Sequence, residues 1–146
     1  MKNFNFNDDN YCIVCGENNP IGLKQKFIVE EEELVTYFNL PKEFQGWNNV
    51  AHGGIVSTLL DEVQVTLLGI KGIKVVTAEI TVRLKKPVMT MEEYRCAAKI
   101  EKEADNSKLV LTSAYISDKN GNIYAESNAK LIKKGIFPAE KIKQQN

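Results

Sequence analysis

The sequence predicts an α+β domain in which one long helix is wrapped by an antiparallel sheet, and three observations predict it. Val56, Leu59, Leu60, Val63, Leu67 and Ile70 recur at three- and four-residue steps, the spacing that gathers them on one helical face. After Gly72 the period changes to two: Val76, Ala78, Ile80, Val82 and Leu84 alternate with Thr77, Glu79, Thr81 and Arg83. The strand patterns are joined by short turns, among them Asn120-Gly121, and short turns force antiparallel neighbours. No second helical pattern is present, which disfavours a parallel βαβ fold.

Taken in order, residues 1–11 are polar and Asn-rich and read as a loose arm, with Phe4 and Phe6 available to pin it. In CIVCGENNPIGL, Cys12 to Leu23, the residues Gly16, Asn18, Asn19, Pro20 and Gly22 mark a run of tight turns. Alternation from Leu23 to Val29 and from Glu33 to Asn39, around the acidic turn at 30–32, predicts a first hairpin that Pro41 ends. The helix begins at the glycines after His52 and stops near Gly69 or Gly72. The strand after it ends at Pro87, and further strands cover Glu93 to Glu103, Lys108 to Ser117 and Asn122 to Lys133. The domain thus spans 12–134, and 135–146 is a polar tail expected to fray.

Composition narrows the function classes. At 146 residues the chain is one domain able to bury ~two-thirds of its unfolded surface. Lys plus Arg and Asp plus Glu balance at 19 each and are spread along the chain, leaving no basic footprint for nucleic acid. No apolar run approaches the ~20 residues needed to span a bilayer, and the polar start is unlike a signal peptide, so a cytoplasmic protein without membrane contact is expected. Three cysteines are an odd number and read as thiols. Cys12-x-x-Cys15 has the spacing of half a zinc site, but only Cys96 and His52 remain as partners, so no metal is expected. A structural loop packed near the helix is expected instead.

The stretch His52 to Val63 carries the chemistry. Gly54, Ser57, Thr58, Asp61 and Gln64 form a stripe beside the apolar seam, so a carboxylate sits at its margin, where an unpaired charge is costly. Glu62 points about 100° away and reads as a solvated helix residue. His52-Gly53-Gly54 followed by Leu59-Leu60-Asp61-Glu62, with Gln45-Gly46 before and Val76-Thr77-Ala78-Glu79 after, resembles the signature of hot-dog-fold acyl-CoA thioesterases. The cysteine loop is similar to the N-terminal stretch of one bacterial branch, and the resemblance covers roughly residues 12–133.

The resemblance implies that Asp61 is the general base, or the nucleophile, of thioester hydrolysis. It implies that His52 lies beside the thioester carbonyl and that Thr77 helps hold the attacking water. Gly53 and Gly54 N–H groups at a helix N-terminus can stabilise an oxyanion, and glycine there also permits close packing. Arg83, Lys85 and Lys86 are candidates for the phosphates of coenzyme A, or a solvated cluster. Phenylacetyl-CoA thioesterase-like members carry an Asn six residues before the histidine, where this chain has Gly46. Gln45, Asn48 and Asn49 are therefore the candidate amides for substrate.

The expected function is hydrolysis of an acyl- or aryl-CoA thioester by a homodimer or dimer of dimers, with no cofactor beyond the coenzyme A of the substrate. The alternative is a non-catalytic acyl-CoA or acyl-carrier binding protein on the same fold. Enoyl-CoA hydration is disfavoured, since hot-dog hydratases resemble each other in an Asp five residues before a His, and Trp47 stands there.

Overall fold

The computed structural model describes residues 9–138, so Phe4, Phe6 and the tail from 139 onward lie outside the described residues. Its elements are β1 (Ile28–Glu30), β2 (Glu33–Asn39), α1 (Gly53–Gly69), β3 (Ile73–Leu84), β4 (Glu93–Glu103), β5 (Leu109–Ser117) and β6 (Ile123–Ile136). All six strands join one antiparallel sheet in the order β1-β2-β4-β5-β6-β3. The sheet curls around α1, which is the hot-dog fold. Strand bounds shift by a residue or more at several ends, most informatively at the start of β1 and the end of β6. β1 starts at Ile28, because Leu23 and Gln25 spend their N–H groups on Ile13 and Val14 of the cysteine loop. β6 runs on to Ile136, where it pairs with Ile73.

Val56, Leu59, Leu60, Val63, Leu67 and Leu68 of α1 are buried against an alternating inner face. On β5 that face is Val110, Thr112, Ala114 and Ile116; on β6 it is Ala125, Ser127, Ala129 and Leu131. The small residues let the helix axis approach the sheet closely. Gln64 departs from expectation. It is fully buried, donating through Nε2 to Leu60 O and Ser127 Oγ and accepting from Thr112 Oγ1 at 2.7 Å. The 100° increment carries it past the Asp61 stripe into the seam, and its hydrogen bonds to β5 and β6 offset its desolvation.

β3 also departs from a single alternation. The β3–β6 register shifts between Thr77 and Glu79, so Ala78 is an extra residue of a β-bulge. Before the bulge Val75 and Thr77 face α1 while Val76 is 45% exposed; after it Ile80 and Val82 face inward. One inserted residue inverts the pleat, which turns Thr77 toward the helix.

Candidate functional site

At the N-terminus of α1, His52 is the N-cap. Its Nδ1 accepts from the Gly54 N–H at 2.9 Å, which leaves Nε2 as the other ring nitrogen able to meet a partner. The two glycines, equivalent in the sequence, are thereby distinguished. Gly54 spends its N–H on the cap, whereas the Gly53 N–H has no partner among the described residues. A side chain at Gly53 would press on Leu84 Cδ1 at 2.9 Å.

The segment leading into the helix is a closed loop: Gly46 N–H donates to Val50 O, His52 N–H to Phe44 O, and Asn49 N–H to Gln45 Oε1 at 3.0 Å. Gln45 is thus a strut of the loop, and Asn49 occupies its left-handed turn at φ 64°. Asn48 lies exposed and accepts from Lys42 Nζ at 3.5 Å. Trp47, at the tip, is 86% exposed. Between this loop and the end of β3 lies a cleft of 280 Å³ lined by Trp47, Gly53, Val56, Leu84, Lys85 and Lys86. Lys85 pairs with Glu126 at 3.0 Å and Lys86 sits over the Tyr124 ring, while Arg83 is exposed. The structure therefore unites Gly53 with two of the three candidate phosphate contacts.

Asp61 lies two turns further along α1. Thr77 Oγ1 donates to Asp61 Oδ1 at 2.6 Å, a charge-assisted bond that leaves Oδ2 available. Asp61 and Thr77 are both half-buried at the β3 edge of the sheet. Gly53 is eight residues back on the same helix, about 12 Å along its axis, so within one chain the carboxylate and the free N–H do not meet.

Glu62 is not a solvated residue. Its Oε1 accepts from Cys12 Sγ at 3.4 Å, Cys15 Sγ at 3.2 Å and Thr66 Oγ1 at 3.4 Å. The cysteine loop lies across that face of the helix, and no local sequence signal joins positions about fifty residues apart. Burial, with the charge on Cys12 adding, pushes the Glu62 carboxyl up to about 7. The Cys15 thiol, opposed by burial, draws Cys12 down to about 5; bonding to Cys12 and then burial hold Cys15 far above the usual thiol range. Three acidic groups facing one another share their protons unequally.

The architecture defines the class first: a hot-dog fold with a capped helix N-terminus and a carboxylate held by a strand hydroxyl. No family model matches the sequence, and no curated protein does. Among solved structures, a thioesterase superfamily protein matches with a TM-score of 0.77 and 18% identity over 84% of this chain, which spans only 60% of that protein. The E. coli PaaI protein of the phenylacetic acid degradation operon gives 0.71 and 16%, covering 79% of this chain and 83% of its own. A hypothetical thioesterase from Streptococcus pneumoniae TIGR4, solved with coenzyme A, gives 0.71 and 13% over 78% and 91%. That protein has also been solved with one Asp or one Thr replaced by Ala.

Proposed function

We propose that the protein hydrolyses an acyl- or aryl-CoA thioester by water attack, at a site shared between two antiparallel copies of the chain. The observation that carries this reading is the separation just described: a held carboxylate and an unspent helix N–H on one helix, too far apart to act together. β3 is 12 residues long and, among the described residues, pairs only with β6, so its other edge presents backbone groups unpaired by any described strand beside Thr77. Two-fold pairing along that edge sets Asp61 of one copy opposite the helix N-terminus of the other, giving two equivalent sites. The thioesterase names of the structural neighbours, one of them solved with coenzyme A, support the substrate class.

In this reading the substrate enters the cleft at Gly53 with its phosphates near Lys85 and Lys86. Asp61 Oδ2 takes a proton from water, and the resulting hydroxide attacks the thioester carbonyl carbon. The oxyanion forms against the Gly53 N–H and the positive end of the helix dipole. Collapse breaks the C–S bond and expels the coenzyme A thiolate, which recovers the proton from Asp61. Thr77 holds Oδ1, so the free oxygen faces the water, and His52 orients the loop through the cap.

Complementation tests the shared site. Asp61→Ala removes the base. Gly53→Pro removes the N–H at the first helical position, which proline tolerates, and His52 already has the extended backbone (ψ 132°) required of a residue before proline. Each variant alone is expected to be inactive. Co-expressed in equal amounts with different tags, half the dimers are mixed and half their sites intact, so about a quarter of wild-type activity returns. No recovery, with mixed dimers confirmed by native mass spectrometry, sinks the shared site. Binding of acyl-CoA without any release of coenzyme A by the wild type would instead favour the non-catalytic alternative.

A further inference from the structure

We propose that Cys12, Cys15 and Glu62 form a three-ligand site for a zinc ion that straps the N-terminal loop to α1. One donor atom from each residue lies within 4.8 Å of the other two. With Zn–S at ~2.3 Å and Zn–O at ~2.1 Å, a tetrahedral centre requires S···O edges of about 3.6 Å. The two S···O distances here are 3.4 and 3.2 Å, so a small outward shift of the donors completes the geometry.

The ion pairs among the described residues leave Glu62 aside, and its hydrogen-bond partners are the two thiols and Thr66. Two thiols donating to one carboxylate are satisfied while they keep their protons, and a divalent cation that displaces those protons would find three anionic donors already converged on one point. The loop is also shaped around the first sulfur. Val14 N–H donates to Cys12 Sγ at 3.4 Å, and Gly16 N–H closes the turn on Cys12 O at 2.9 Å. A Cβ at Gly16 would lie 2.6 Å from that oxygen, so only glycine permits the turn. Such N–H···S bonds are the outer-shell contacts that orient a thiolate ligand.

Two thiolates with one carboxylate select zinc. Magnesium and calcium take all-oxygen sites, and an iron–sulfur cluster requires more cysteines than this one cluster offers. Coordination releases the thiol protons to solvent and leaves the fourth position to water on the partly exposed side of Cys12. Neither Cys96 nor His52 joins Cys12 and Cys15 in this cluster; the third ligand is a glutamate. Because Glu62 adjoins Asp61, the ion also stiffens the helix turn that carries the proposed base.

The test uses the full chain purified under reducing conditions without chelator, with metal content measured by mass spectrometry and Co²⁺ as a spectroscopic probe. Neither readout involves turnover, so each is independent of the thioesterase reading. Expected are one zinc per chain, and in the Co²⁺ form thiolate-to-metal charge-transfer and tetrahedral ligand-field bands that stoichiometric Zn²⁺ abolishes. Cys15→Ala should lose the bands, Cys96→Ala should keep them, and Glu62→Gln should weaken Zn²⁺ binding by about tenfold or more. A wild-type protein that holds no zinc and develops no charge-transfer band with Co²⁺ overturns the proposal without recourse to any variant. Full-strength bands persisting in Cys15→Ala overturn it as well.

Discussion

Replacing Thr77 by Val is the sharpest probe of the catalytic end, because it removes one oxygen and little volume. The structure places that hydroxyl 2.6 Å from Asp61 Oδ1, on a residue turned toward the helix only by the bulge at Ala78. A hydrogen bond to a charged group is worth about 1.5–3 kcal/mol; with both residues half-buried we take the lower half of that range. If the bond holds Asp61 in its reactive pose, about 1.5–2 kcal/mol lost in the transition state lowers kcat/KM by roughly 10- to 30-fold. Removing the base itself by Asp61→Asn should cost more, on the order of 10²–10⁴. Release of coenzyme A from an acyl-CoA panel gives both numbers, and near-ultraviolet circular dichroism checks the fold. Thr77→Ser restores the hydroxyl and should recover most of the activity. Wild-type kcat/KM in Thr77→Val, or no recovery in Thr77→Ser with the fold intact, refutes the positioning role.

Gln64→Leu keeps the volume but strands the Thr112 and Ser127 hydroxyls in the core. At about 1–3 kcal/mol per orphaned group, Tm should fall by roughly 5–15 °C in a thermal melt. Adding Thr112→Val and Ser127→Ala should recover much of the loss, since no polar group is then left unpaired. His52→Ala removes the cap on Gly54 and should cost about 1 kcal/mol, seen as a Tm drop of ~2–4 °C. His52→Asn, which also caps, should restore stability, and kcat in both variants should stay well above that of Asp61→Asn; a loss as deep as that one would make His52 a proton carrier.

The fold was legible in the sequence wherever burial follows chain-local periodicity. The three- and four-residue steps from Val56 to Leu67 mark α1, and β4 has the bounds its strand pattern predicts, because each side chain's environment there is set by its own element. The pairing of Asn120-Gly121 with flanking strands likewise needs no distant partner: the turn bends where Gly121 takes φ 84°. Asp61 stands out in sequence for the same reason, a carboxylate at the edge of an apolar helical seam.

What lies beyond came from contacts between segments far apart in the chain. Strict alternation on β3 sent Thr77 to the face opposite Ile80; the extra residue Ala78, which carries no glycine or proline to announce it, reversed that and gave Asp61 its partner. Gly53 and Gly54 read alike until the imidazole of His52 took one N–H and left the other. Glu62 read as solvated because periodicity counts only the face turned toward the sheet, whereas a loop some fifty residues upstream covers another face with two thiols. Local pattern determines which side of an element is apolar. Only the assembled tertiary structure decides what a polar group at the margin meets, since its free energy depends on partners that folding brings from elsewhere.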